Sequence, residues 1–284
     1  MEQQIQWFPG HMSKTRRLIQ QNIKLIDVVV EILDARIPMS GRNSNFDDIL
    51  RGKPRLIVLN KYDLADKKVT DMWISEYAKK GIKVIPISCS TGYGINKIAP
   101  LAKELLKERI DREKNKGMTR TVKMMMVGIP NVGKSTLINR LVGKAKTVTG
   151  DRPGVTKTQQ WVRIREDIEL LDTPGLLPPK FDNQELAKNL AYTGAIKDEI
   201  INTELLSYSL LEYLRDNYKD ELSQRYKLTE DISQMKGYEI LGYIGQKRGF
   251  RISGGEIDME RAANIVLDEF RSAKIGNITL EKPE

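Results

Sequence analysis

One cysteine and one histidine in 284 residues exclude an internal disulfide and any Cys/His zinc site built from this chain alone. No apolar run approaches the roughly 20 residues that span a bilayer. The opening MEQQIQW has no apolar stretch of signal-peptide length. A cytoplasmic protein with no membrane partner is therefore expected. No low-complexity tract interrupts the chain, and 40% apolar with 30% charged residues is the composition of a folded globular protein. The length allows one medium domain plus a small one.

The charge is uneven. From residue 185 onward 14 Lys and Arg stand against 18 Asp and Glu, a net −4, so with +9 overall the first 184 residues carry +13. Arg140, Lys144, Lys146, Arg152, Lys157, Arg163 and Arg165 meet only Asp151 as an acid between residues 140 and 165. This density suits a polyanionic partner such as nucleic acid, and equally a solvated basic face.

DVVVEILDAR, PRLIVLN and KVIPISC are short β-branched runs that read as buried strands. KKVTDMWISEYAKKG, between the second and third, reads as a helix stopped by Gly81. A helix capped by Ser13 is expected before the first strand, and one continuous helix over NKIAPLAKELLKERIDREKNKG after the third. TVKMMMVG, QQWVRIRED and IELLDTPG supply three more strands, with a helix at KSTLINRLVG. This alternation predicts an α/β fold with a mostly parallel sheet covered on both faces. From about 185 the strand signals stop, and stretches such as ELLSYSLLEYLRDNY carry apolar residues at helical spacing, as a small helical core requires. The expected division is a domain over 1–184, including the N-terminal helix, and an all-helical one over 185–284.

GIPNVGKS, residues 128 to 135, satisfies G-x-x-x-x-G-K-[ST] and stands between a strand and a helix, where a phosphate loop works. Backbone N–H groups of Asn131, Val132, Gly133, Lys134, Ser135 and Thr136 are candidates to wrap phosphates, with Lys134 on the β and γ oxygens and the Ser135 hydroxyl on Mg²⁺. Asp172, ending the strand of LLDTPG, is placed to hold the magnesium shell through water. Gly175 can offer its N–H to the γ-phosphate, and Thr156 of DRPGVT can reach the metal and sense that phosphate.

Far upstream, IVLNKYDL ends a strand with Asn60, Lys61, Tyr62 and Asp63. A carboxylate accepts two hydrogen bonds from the N1–H and 2-amino groups of guanine. Adenine offers neither, so Asp63 selects GTP over ATP. Asn60 can tie the loop together while the Lys61 stem covers the base, and Ser88 and Cys89 of SCS fit a backbone contact to guanine O6. The order is guanine reader, second base loop, phosphate loop, switch I, switch II: a circularly permuted GTPase. A sheet tolerates this, because domain termini lie at the surface and cutting one connection leaves strand neighbours unchanged.

WFPGHM, LDARIPMSGRN, NKYD, GIPNVGKST, RPGVT and LDTPGLL, in this order over essentially the whole chain, resemble the ribosome biogenesis GTPase A (YlqF-type) family. The resemblance implies GTP hydrolysis to GDP, stimulated by the maturing large ribosomal subunit, with ribosomal RNA contacted by the C-terminal helical domain; a monomer is expected. Permuted relatives with zinc modules are excluded by the cysteine count. Leu176 stands where many GTPases carry a glutamine that orients water, and leucine cannot do this. The resemblance suggests His11 as the substitute; the alternative is that His11 only helps start a helix. It also likens Asn131 to the asparagine that binds K⁺ in potassium-activated GTPases. A nucleotide-dependent RNA-binding scaffold with incidental hydrolysis stays open, as does direct reorientation of the C-terminal domain by switch II through LLPPKF.

Overall fold

The computed structural model describes residues 12–42, 44–118, 120–143, 160–173 and 183–283. Six strands form one sheet: β1 (Val28–Asp34), β2 (Arg55–Asn60), β3 (Lys83–Pro86), β4 (Val122–Gly128), β5 (Gln160–Arg165) and β6 (Ile168–Asp172). Their order is β3-β2-β1-β4-β6-β5. Every pairing is parallel except the edge pair β5–β6. The chain walks outward from β1 to β3 on one side; on the other it crosses from β4 to the edge strand β5 and turns back into β6 between them. β1 and β4 therefore flank a topological switch point, and the crevice beyond the carboxyl ends of such strands is where ligands bind.

Helices α1 (Met12–Asn22), α2 (Ser44–Ile49), α3 (Lys67–Lys79), α4 (Ile98–Glu104), α5 (Lys107–Asn115) and α6 (Lys134–Val142) accompany the sheet. Alternate side chains of the buried strands serve opposite faces. Val29, Met125 and Leu171 pack with Ile19 of α1 and Leu50, while Leu33, Ile57 and Leu59 meet Val69, Trp73 and Tyr77 of α3. Val28, Val30, Ile32, Leu56, Val58, Met124 and Met126 belong to the opposite cluster with Leu137 of α6. That cluster runs on without a break into α7 (Gln184–Tyr192), α8 (Thr203–Asn217), α9 (Lys219–Tyr226), α10 (Gly237–Arg248) and α11 (Met259–Arg271).

Two sequence expectations are corrected. Ser13 lies inside α1 (Met12–Asn22) rather than at its cap. The long helix after β3 is broken into a 3-10 turn at Ile95–Lys97, then α4, then α5. Successive residues of a continuous helix point about 100° apart. The turn at Leu105 and Leu106 lets both adjacent leucines pack on the core, Leu106 buried and Leu105 half-buried. α3 follows expectation at its end, where Gly81 leaves it at φ 70°, and the structure adds its start, where Asp66 caps it by accepting from Lys68 N and Val69 N.

Candidate nucleotide site

The phosphate loop joins β4 to α6 at the carboxyl edge of the sheet. Its glycines are required by close approach. A Cβ on Gly128 would stand 2.6 Å from Ile32 O, and one on Gly133, at φ 101°, would stand 2.3 Å from Asn60 Nδ2. Val132 is buried, Ser135 half-buried and Thr136 exposed in the first turn of α6. Lys134 is buried and folds back, its Nζ donating to Ile129 O at 2.7 Å and Gly128 O at 3.2 Å. Asn131 takes the left-handed conformation at φ 57°, and its Nδ2 donates to Gly194 O at 2.8 Å just beyond α7. The carbonyl oxygen of that amide, the atom a cation would need, is not used by this bond.

Asn60, the last residue of β2, joins the three loops. Its Nδ2 donates to Val132 O at 2.7 Å, and its Oδ1 accepts Cys89 N–H at 3.0 Å. The partners also fix the amide orientation, because one is an acceptor and the other a donor. Ser88 N–H donates to Tyr93 O at 3.0 Å. A guanine carbonyl at residues 88–90 must therefore share the Cys89 N–H or use the next one. The Ser88 hydroxyl lies 2.8 Å from that of Ser90 and accepts Thr91 N–H at 3.1 Å. Burial pushes the Cys89 thiol up to about 11, which keeps it neutral.

Lys61 sits at φ 61° and places Nζ 2.9 Å from Asp34 Oδ2. Asp34 also receives Arg36 Nε at 3.0 Å, Nη2 at 2.9 Å and its backbone N–H at 3.0 Å. Burial alone would raise this carboxyl; the Arg36 and Lys61 charges and the Arg36 hydrogen bonds outweigh it and hold the group well below the usual carboxylate range. Tyr62 stacks on Tyr93 with ring centroids 5.4 Å apart. Asp63 accepts the Ser90 hydroxyl on Oδ2 at 2.6 Å, while its Oδ1 is buried without a protein partner. An unpaired buried carboxylate oxygen is costly. It is the group that a guanine N1–H or 2-amino donor would satisfy.

His11, Thr156, Gly175 and Leu176 lie outside the described residues, as do Lys144, Lys146, Lys157 and the LLPPKF connector. Asp172 ends β6, the strand next to β4, so its backbone reaches the same sheet edge as Ser135. A hydroxyl in the first turn of α6 and a carboxylate residue at the end of the neighbouring strand suit Mg²⁺, a hard cation that keeps most of its shell as water and phosphate oxygen. Sequence reasoning left Asp34, Arg36 and Ser90 without a role. The available signal was an acid and a base, Asp34 and Arg36, at and just past the end of a mostly apolar strand.

A phosphate loop at the switch point of a mostly parallel sheet, tied by Asn60 to the N-K-x-D loop that precedes it in the chain, defines a circularly permuted P-loop GTPase. The family model described as "50S ribosome-binding GTPase" matches residues 123–237. The chain is 48% identical over 281 residues to ribosome biogenesis GTPase A of Bacillus licheniformis, covering 99% of each. It belongs to the ribosome biogenesis GTPase A family, and it is a GTP hydrolase. It is also 34% identical to mitochondrial ribosome-associated GTPase 1 of Mus musculus, with 97% of this chain and 90% of that protein covered. The GDP-bound structure of Thermotoga maritima YlqF matches with a TM-score of 0.63 and 28% identity, over 94% of this chain and 99% of that one.

Proposed function

We propose that this GTPase is an assembly factor that binds the maturing large (50S) ribosomal subunit in the cytoplasm as a monomer and is switched or released by GTP hydrolysis. Its basic N-terminal part, +13 over residues 1–184, and the helical unit 185–284 meet ribosomal RNA. Asn60, Lys61, Tyr62 and Asp63 read the base with Ser88 and Cys89. Residues 131–136 and Gly175 hold the phosphates. The observation that carries the nucleotide assignment is the buried, unpartnered Oδ1 of Asp63 in a loop that Asn60 bolts to the phosphate loop.

Ser135, Thr156 and, through water, Asp172 would hold Mg²⁺, which would supply charge neutralisation on the β and γ oxygens. Lys134 moves its ammonium from the Gly128 and Ile129 carbonyls to the phosphates, exchanging neutral acceptors for charged ones. The N-terminus of α6 adds its dipole. His11 orients the attacking water in the place of the residue that Leu176 cannot supply. The Asn131 amide carbonyl would hold K⁺, which would supply the charge that an arginine finger provides elsewhere.

GTP turnover measured alone, with purified large subunits and with small subunits, in K⁺ and in Na⁺, tests this reading. Stimulation by the large subunit only, and only in K⁺, is the expected result. Equal rates in the two salts would remove the potassium assignment. Turnover indifferent to both subunits would favour the RNA-binding scaffold, which Leu176 keeps open.

A further inference from the structure

The last turnless stretch of the chain lies against the base-reading loop. Asn277 Nδ2 donates to Asp63 O at 2.8 Å and to Ala65 O at 3.3 Å. Thr279, fully buried, accepts Asp66 N–H on its hydroxyl at 3.0 Å. Leu280 N–H donates to Arg36 O at 2.8 Å. Glu281 accepts Met39 N–H at 2.6 Å, Ser40 N–H at 3.0 Å and Asn189 Nδ2 at 3.1 Å, while its carbonyl takes Trp73 Nε1–H at 2.9 Å. Residues 277–281 thus grip both loops that set the guanine reader, the one carrying Asp63 and the one following Asp34.

The other side of this strap belongs to the helical layer. Tyr218 Oη, from the residue between α8 and α9, donates to Thr279 O at 2.9 Å, and Tyr213 Oη, from the C-terminal part of α8, donates to Leu280 O at 3.0 Å. Arg36 Nη1 reaches Arg271 O at the end of α11, and the Arg271 guanidinium is held in turn by Asp198 at 2.6 Å and 2.7 Å. The Asp63 carbonyl is held more than two hundred residues away in sequence. The side chain of Asp63, with one oxygen on Ser90 and one unpaired, has no protein bond that sets its outer edge. Its aim depends on the backbone that Asn277 and Thr279 hold.

We propose that Asn277 and Thr279 are positioning residues for guanine recognition: the C-terminal strap aims Asp63 at the base and couples base occupancy to the seating of the helical layer. This rests on Asp63 being the guanine reader. A small displacement of a hydrogen-bonding carboxylate weakens both of its bonds to guanine, whereas the phosphate loop, which the strap does not touch, keeps its grip. The strap therefore governs selectivity between bases more than the affinity for the diphosphate.

The test compares GDP with IDP, which lacks the 2-amino group and can give Asp63 one hydrogen bond in place of two, in the full-length chain. The exposed side chain of Asn277 makes Asn277→Ala safe for folding. Expected is a roughly 10-fold loss of GDP affinity with a smaller loss for IDP, so that the GDP/IDP ratio moves toward one. Thr279→Val should do the same and Thr279→Ser should retain the native ratio, because only the hydroxyl receives Asp66 N–H. A native ratio in Asn277→Ala, or equal weakening of both nucleotides, overturns the strap as a positioning element. Asp63→Asn is the separate control: it should gain XDP binding at the expense of GDP, and its failure to do so would overturn the base-reader assignment itself.

Discussion

Replacing Asn60 probes the tie that holds the permuted site together. The side chain is 2% exposed and makes two bonds of opposite sense, donating to Val132 O and accepting from Cys89 N–H. Asn60→Ala strands both backbone groups, and each unpaired buried group costs about 1–3 kcal/mol. A water admitted into the vacated polar space offsets part of this, leaving an expected loss of about 2–4 kcal/mol. At roughly 2–4 °C per kcal/mol for large domains, the melting temperature should fall by about 4–16 °C. With the phosphate loop and second base loop no longer fixed to one another, GDP affinity should drop about 10- to 100-fold, equivalent to ~1.4–2.8 kcal/mol. Asn60→Asp sharpens the test. It keeps the acceptor for Cys89 and nearly the same volume, but turns an oxygen onto Val132 O across the present 2.7 Å contact. The isostere should therefore be worse than alanine. Thermal unfolding with and without GDP, and titration with a fluorescent GDP analogue, read both effects. Native melting and native GDP binding in Asn60→Ala, or a milder effect from Asn60→Asp, would show that Asn60 does not carry the tie.

Asp34→Ala leaves the Arg36 guanidinium, 1% exposed, without its counter-ion; a loss of about 3–5 kcal/mol in urea unfolding is expected, with part recovered by adding Arg36→Met. A destabilisation below about 1 kcal/mol would refute this account of the pair. For Cys89, the raised folded pKa means that its stability contribution is complete below the ordinary thiol value of 9.0 and is lost as pH rises through about 11. At pH 8 the native thiol should react with DTNB about 100-fold more slowly than in the urea-unfolded chain, and equal rates would contradict its burial. His11→Ala should cut GTP turnover strongly while leaving GTP affinity unchanged; unchanged turnover returns His11 to a helix-starting role. Neutralising Lys144, Lys146 and Lys157 together should flatten the salt dependence of RNA binding, and an unaltered slope would make them a solvated face.

The elements that chemistry needs were legible because they are local. A β-branched run, Gly81 after α3, and glycines at 128 and 133 each express a short-range preference in burial, helix termination or φ. The same locality explains the misreading of α4 and α5: helical periodicity persists across Leu105 and Leu106, and the packing of both side chains against the core sets the break. Asp34 and Arg36 stood in plain view as an acid and a base. Their role depends on Lys61, brought to Asp34 by the pairing of β1 with β2.

The sequence by itself determined the chemistry on offer: a phosphate loop, an N-K-x-D pattern and their inverted order, because each is written in contiguous residues whose backbone preferences and functional groups act at short range. Only the tertiary structure decided that Asn60 bridges to Val132, that Asn131 reaches Gly194, and that Asn277 supports Asp63. Those partners are set by strand order and by the packing of the helical layer, which satisfy buried polar groups across long stretches of chain and leave no periodic trace in it.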